Sequence, residues 1–383
     1  MLIGIVGVPN SGKSTFFKAL TLIEDVEIAS YPFTTIKPNQ GVAFVTHPCV
    51  CKELGVRCNP RNSKCINGIR FIPVKVMDVA GLVKGAHEGK GLGNQFLDDL
   101  RQADGLVQVV DISGHTDSEG RQGNGDPEEH IKILEEEIDY WVFGIIEKGL
   151  KRIERIAEAE KVPIERLLAQ QLSGLGIKEN EIKEAMKHAD MGSMEFVSIL
   201  RKVAKPIIIA ANKIDILGAK DNYEKLRNKY KMIACSAESE LALKEAAKHG
   251  LIEYIPGSSD FNILNESLLN ESQKKALRFI KERVLKVYGS TGVQKVVDEL
   301  VFSILNYIVV YPVANENKLA DNKGNVLPDA FLVKKGTTVK ELAEMIHSDI
   351  KEGFVTAIDA RTKKRIAADY ELRDGDIIRI MFK

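Results

Sequence analysis

The chain has 383 residues, with 54 basic and 54 acidic side chains balancing to a formal net charge of +0, 44% hydrophobic residues and 28% charged ones. That profile is ordinary for a soluble globular protein. It gives no global charge that would draw the chain to nucleic acid, although a local basic face stays open, and no apolar run approaches the ~20 residues of a membrane helix. The length suits two or three cores. The chain begins "MLIGIVGV", which reads as a buried strand with no room for a signal peptide, so a cytoplasmic protein is expected. Strands are predicted at 2–8, 71–79, 106–112, 206–211 and 232–235, several of them apolar throughout. Alternating with amphipathic stretches, they predict an α/β domain whose mainly parallel sheet has helices on both faces. From Asp126 the period lengthens: Ile131, Leu134, Ile138, Trp141, Ile145, Ile146, Leu150, Ile153 and Ala157 mark one long amphipathic helix. Shorter helices follow over 164–204, broken at Gly174, Gly176 and Gly192. Because strands flank it, this region reads as a helical insertion whose stripes are packing seams. Leu277, Ile280, Val284 and Val287 form one face of a later helix that Gly289 would stop. From Tyr307 short strand-like pieces surround one helix, 339–346, with glycines 324, 336, 353 and 375 at the turns. The expected division is 1–148 with 203–305, an insertion at 149–202, and a small α+β domain at 306–383.

"GVPNSGKST" fits G-x-x-x-x-G-K-[ST] at Gly7, Gly12, Lys13 and Ser14, between a strand and a helix start. Such a loop wraps backbone N–H groups around phosphate oxygens at a helix N-terminus. Asn10, Ser11, Gly12, Lys13, Ser14 and Thr15 are therefore the expected phosphate-side residues, with Lys13 on the β- and γ-phosphates and Ser14 on Mg²⁺. In "MDVAG", Asp78 suits a carboxylate holding Mg²⁺ through water, and the Gly81 amide suits the γ-phosphate. Between them "YPFTTIKPNQG" offers Thr34 or Thr35 to close over the metal. "IIIAANKIDIL" ends in Asn212-Lys213-Ile214-Asp215 just after a buried strand, at the sheet edge where α/β folds bind ligands. A carboxylate there accepts the N1–H and amine hydrogens of guanine, whereas adenine presents an acceptor and no amine. Sites of this kind reject the wrong analogue by ~10⁴ or more. Asn212 either meets the purine's far edge or ties the base loop to the phosphate loop, and the Lys213 stem can lie along the ring. The backbone of Ser236 and Ala237, in "CSAES", is placed to face guanine O6. GTP, with Mg²⁺, is the substrate these motifs predict together.

Four of the five cysteines, Cys49, Cys51, Cys58 and Cys65, fall in "CVCKELGVRCNPRNSKC". Thiolates are favoured ligands of structural Zn²⁺, but the spacing C-x-C-x6-C-x6-C lacks paired C-x2-C knuckles. Free thiols and disulfides are the rival readings.

"YPFTTIKPNQG" and "DVAGLVKGAHEGKGLGNQFLDDLRQAD" resemble the Obg family of P-loop GTPases, in its YchF-type branch, and the whole chain is most similar to the archaeal translation-associated form. The resemblance implies a GTPase domain with a helical insertion and a C-terminal β-grasp, ubiquitin-like TGS domain, which "LADNKGNVLPDAFLVKKGTTVKELAEMIH" and "ELRDGDIIRIMF" look like. It selects Thr35 for the metal, which with Lys13 and Gly81 completes the expected catalytic set, and it implies association with the ribosome or a subunit, through rRNA or ribosomal proteins; a monomer is expected. Many members of the branch have a degenerate base motif and prefer ATP; here the motif is intact. Leu82 stands where many GTPases place a water-orienting glutamine, so slow hydrolysis is expected. Help would come from a K⁺ ion near Asn10, from His87, or from a partner in trans. The alternatives are a nucleotide-gated scaffold or stress sensor with incidental hydrolysis, and an ATP-preferring hydrolase. Basic groups that could touch RNA are Lys148, Lys151, Arg152 and Arg155, then Lys274, Lys275, Arg278, Lys281 and Arg283, then Arg361, Lys363, Lys364 and Arg365.

Overall fold

The computed structural model describes residues 1–22, 39–61, 63–79, 81, 85, 99–117, 119–347 and 351–383. Thr34, Thr35, Leu82 and His87 lie outside the described residues. The described chain divides into two units, one taking 1–22, 39–41 and 75–300, the other 42–74 and 301–383.

The first seven strands are β1 (Leu2–Val6), β2 (Gln40–Pro48), β3 (Lys64–Ile66), β4 (Ile69–Asp78), β5 (Gly105–Asp111), β6 (Ile207–Asn212) and β7 (Met232–Ala234). In the first unit the end of β4, then β1, β5, β6 and β7, lie side by side and parallel, with Ile5 opposite Asp78 and Asp111 opposite Asn212. These are the five strands the apolar runs predicted. Every residue of β5 is buried, as a central strand covered on both faces must be. Helix α1 (Lys13–Thr21) packs against the helix Ala237–Lys248, and the long helix Pro127–Glu160 packs on β5. That long helix starts where its sequence says it should. The Asp126 carboxylate accepts from the Glu128 N–H at 2.9 Å, and Pro127 takes the first turn, where its missing N–H costs nothing. Ile138, Val142, Ile146, Leu168, Ile182, Phe196 and Leu200 then form one apolar seam with the shorter helices that follow.

The later helix runs from Glu271 to Tyr288, and Gly289, at φ 77°, stops it as expected. Its face differs from the expectation at one position. Ile280–Leu285 is π-helical, so the extra residue per turn rotates the stripe. Leu285 becomes buried, and Val287 is 52% exposed. A short pair, β8 (Ile252–Glu253) and β9 (Asn262–Ile263), precedes that helix.

The second unit carries β10 (Tyr307–Val313), β11 (Phe331–Lys334), β12 (Phe354–Asp359), β13 (Arg365–Ile366) and β14 (Ile377–Phe382), in the order β11-β10-β14-β12-β13. β10 and β14 are parallel and the other pairs antiparallel. The helix Val339–Ile346 is capped reciprocally by Thr338 and Glu341, and it lays Val339 and Leu342 against Val310, Val333 and Ile378. This is the β-grasp the C-terminal sequence led us to expect.

Residues 42–74, which lie in sequence between the two switch motifs, "YPFTTIKPNQG" and "MDVAG", belong to this second unit. The Asn59 and Arg61 N–H groups donate to the carbonyls of Val326 (2.8 Å) and Pro328 (3.0 Å). Arg70 is fully buried; its guanidinium donates to the Leu327 carbonyl and stands 5.6 Å over the Tyr311 ring.

Candidate nucleotide-binding site

β1 delivers the chain into a turn in which Asn10 (φ 61°) and Gly12 (φ 91°) are both left-handed. Two glycines there are obligatory for close approach. A Cβ on Gly7 would stand 2.6 Å from the Val109 carbonyl oxygen, and one on Gly12 would stand 2.2 Å from the Asn212 amide nitrogen. The turn feeds α1, whose first residues are Lys13, Ser14 and Thr15. The Lys13 ammonium is paired with the Asp78 carboxylate at the end of β4, so these two sequence motifs meet in space. Ser14 is exposed on the first turn of α1. A hydroxyl and a carboxylate are hard oxygen donors, and this set fits Mg²⁺. Thr35, the third expected ligand, lies outside the described residues.

On the base side, β6 ends in Asn212, which is buried. Its amide nitrogen donates to the Ser11 carbonyl at 3.0 Å, and its amide oxygen accepts from the Ala237 N–H at 3.0 Å. Of the two roles open to Asn212, the structure displays the tie between the phosphate loop and the base loop. Lys213, left-handed at φ 63°, donates to the Asn10 carbonyl at 2.8 Å and pairs with Asp111 at 2.7 Å. Asp215 is half-exposed and has no hydrogen-bond partner among the described residues. Ser236 donates its N–H to the Thr291 carbonyl at 2.9 Å and caps the helix after it, accepting from the Ser239 N–H. Both amides expected at guanine O6, those of Ser236 and Ala237, are thus engaged with protein oxygens. A base contact at either requires that bond to be exchanged.

Asn10 donates its side-chain nitrogen to the Gly120 carbonyl at 2.7 Å, and Gly120 abuts Pro9 so closely that a Cβ there would be 2.5 Å from the Pro9 Cβ. The loop after β5 therefore lies on the phosphate loop, and the Asn10 side chain is fixed with only its oxygen left for a cation.

Asp111 is a candidate site residue that the sequence motifs do not include. It ends β5, fully buried, and accepts from Ser113 Oγ (2.5 Å), Thr116 Oγ1 (2.6 Å) and Lys213. The available signal was "VVDISGHT": an acid closing an apolar strand, in the same place on its strand as Asp78. Burial opposes its ionisation, but the bonds from Lys213, Ser113 and Thr116 outweigh burial and hold its carboxyl below the usual range. Its folded pKa thus lies beneath the unfolded value of about 3.9. The stabilisation is complete above that value and is lost as pH falls through the folded one. Asp111→Asn is expected to cost roughly 1–3 kcal/mol at neutral pH, and to flatten the acid limb of stability below about pH 4. Urea midpoints measured across pH 3–7 check both effects.

Fold and site together define a P-loop protein of the GTPase class. Residues 2–148 match the family model of 50S ribosome-binding GTPases, 210–315 that of the G4 motif-containing domain of YGR210-like Obg-like GTPases, and 323–382 that of the TGS domain. A GTP-binding protein of Methanocaldococcus jannaschii is 53% identical, covering 99% of this chain and 98% of its own. The ribosome-binding ATPase YchF of Mycoplasma genitalium is 29% identical over 92% of this chain and 86% of its own. The crystal structure of a GTP-binding protein from Pyrococcus horikoshii matches with a TM-score of 0.77 at 41% identity, covering 100% of both chains. The chain belongs to the Obg-like, YchF-type family of P-loop GTPases with a C-terminal TGS domain.

Proposed function

We propose that this protein binds GTP with Mg²⁺, hydrolyses it slowly to GDP and phosphate, and acts as a switch on ribosomes. One observation carries the choice of base. Asn212 and Lys213 are each consumed in fastening the phosphate loop, while the Asp215 carboxylate, in the turn that follows the same strand, has no hydrogen-bond partner among the described residues. It is the group of the motif free to accept the two hydrogens of guanine. The M. genitalium relative is named an ATPase, so ATP is the competing substrate. Displacement of a fluorescent guanine nucleotide by GTP and by ATP decides between them, and equal affinities would sink the guanine assignment.

At the phosphates, Lys13 exchanges Asp78 for the β- and γ-oxygens, and the Gly81 amide approaches the γ-phosphate. Ser14, Thr35 and Asp78 would hold Mg²⁺, which when bound supplies neutralising charge. With Leu82 in place of a glutamine, no side chain of that position orients water, and turnover is expected to be low and stimulated by K⁺ or by ribosomes. Fast hydrolysis that is indifferent to both would overturn this mechanism.

The ribosomal side rests on the long helix. Lys148, Lys151, Arg152 and Arg155 are all exposed, and at ~100° per residue they share one arc of about 100°. Glu147, Glu154 and Glu158 occupy the neighbouring arc, and none of the four bases has an ion-pair partner among the described residues. By contrast Lys274, Lys281 and Arg361 are tied to Glu271, Asp260 and Glu53. Changing the four helix bases to glutamate is expected to abolish co-sedimentation with ribosomes and to remove most of its salt dependence. Unaltered sedimentation would send the contact elsewhere. A ribosome that binds the GTP form without raising its turnover would favour the scaffold reading over the switch.

A further inference from the structure

We propose that Cys49, Cys51, Cys58 and Cys65 bind one Zn²⁺ ion as a tetrathiolate site that shapes the segment between the switch motifs for its hold on the C-terminal domain. All four sulfurs lie within 4.8 Å of one another. A tetrahedral site with Zn–S bonds of about 2.3 Å sets its sulfurs roughly 3.8 Å apart, and the Cys51 and Cys65 sulfurs are 3.8 Å apart. A disulfide requires about 2.05 Å and gathers sulfurs in twos, whereas here all four converge as free thiols.

The backbone builds this convergence from three directions. Cys49 and Cys51 come from the end of β2 and the one-turn helix Val50–Glu53 that follows it. Cys65 comes from β3, which returns antiparallel to β4 through Asn67 and Gly68, both at positive φ. The Gly68 carbonyl accepts from the Cys49 N–H at 2.8 Å, which folds the hairpin tip back onto the first pair of ligands. Cys58 arrives on the intervening loop, where Val56 donates to the Cys51 carbonyl at 3.0 Å. Four soft sulfur donors in a compact cluster select zinc over the hard cation of the nucleotide site.

The consequence is positional. Cys58 and Cys65 bracket Asn59 and Arg61, the residues whose N–H groups bond the Val326 and Pro328 carbonyls. Arg61 also pairs with Asp329, and the Asn59 amide bonds Asn325 at 2.9 Å. The ion would hold this loop in the conformation that makes those bonds, leaving less ordering to be done on docking.

The full-length protein, purified without chelator, is expected to carry about one zinc per chain by elemental mass spectrometry. Replacement of the metal by Co²⁺ is expected to give the intense visible bands of tetrahedral cobalt thiolate. Cys58→Ser and Cys65→Ser should each lose the metal, whereas Asp215→Asn should retain it. Chelation should open Arg57 and Arg61 to trypsin while GTP binding persists. Should the serine variants not fold, the cobalt spectrum of the unaltered chain decides. A chain that keeps no metal and yields no cobalt bands, or whose cysteines are found in disulfides, overturns the proposal, and iron in place of zinc overturns the choice of ion.

Discussion

Exchange of Asp215 for asparagine is expected to lower GTP affinity by roughly a hundredfold or more, with no change in ATP binding and a gain for xanthosine triphosphate. A carboxylate accepts both hydrogens on the guanine edge. An asparagine accepts one and turns its own N–H toward the guanine amine, leaving donor against donor. Xanthine carries an oxygen at that carbon, so the same asparagine donates to it. Asp215 is half-exposed and holds no protein bond, so the substitution should change stability by no more than about 0.5 kcal/mol. Displacement assays with the three triphosphates, beside a melting curve, separate a base effect from a folding one. Unchanged GTP affinity would show that the base is read elsewhere.

The second large effect is expected at Gly12. Alanine there must adopt φ near 91°, which costs about 1–2 kcal/mol, and its Cβ would stand 2.2 Å from the Asn212 amide nitrogen. Pushing that amide away breaks its bond to Ser11 and strains the one to Ala237, each worth about 0.5–1.5 kcal/mol net. Phosphate loop and base loop would lose their common fastening, and GTP affinity should fall roughly a hundredfold or more, at 1.4 kcal/mol per decade. The cause is testable by a cycle. In an Asn212→Ala background the space is vacant and the bonds already gone, so Gly12→Ala should cost only the backbone term. The two changes should therefore be non-additive by about 1 kcal/mol or more. Additive losses would rule out the collision as the origin.

What could be read from the sequence was local. Several strands of the first sheet, β1, β6 and β7 above all, are nearly continuous apolar runs, and the phosphate loop and Asn212–Asp215 have fixed spacings, so chemistry and neighbours along the chain suffice to place them. The Thr338–Glu341 cap and the Asp126 cap are local too, with both partners within one turn. Asp111 is not legible in the same way, because its meaning depends on Lys213, about a hundred residues away, and nothing in "VVDISGHT" announces that partner. The double use of the Asn212 amide is likewise tertiary, and it consumes the Ala237 N–H that sequence reasoning reserved for the base. A regular 3.6-residue period places Val287 inward, and a π-helical turn does not obey that period. The cysteines were ambiguous because spacing along a chain does not report convergence; a hairpin and a one-turn helix bring together what the spacing keeps apart.

The discontinuity of the second unit bears on how the chain is made. Residues 42–74 leave the ribosome early, and their partners in 301–383 emerge more than two hundred residues later. During that interval Arg70, buried in the finished protein, has neither the Leu327 carbonyl nor the Tyr311 ring, and the carbonyls for Asn59 and Arg61 do not yet exist. A chain ended at residue 300 stays in that condition permanently, so excision of the C-terminal domain yields an unfinished N-terminal part, not a free-standing one. Metal bound by the four thiols would supply order from within the early segment itself, as structural zinc does for domains too small to fold alone. Its service would then fall chiefly in the wait between the two halves of one domain, before any nucleotide is turned over.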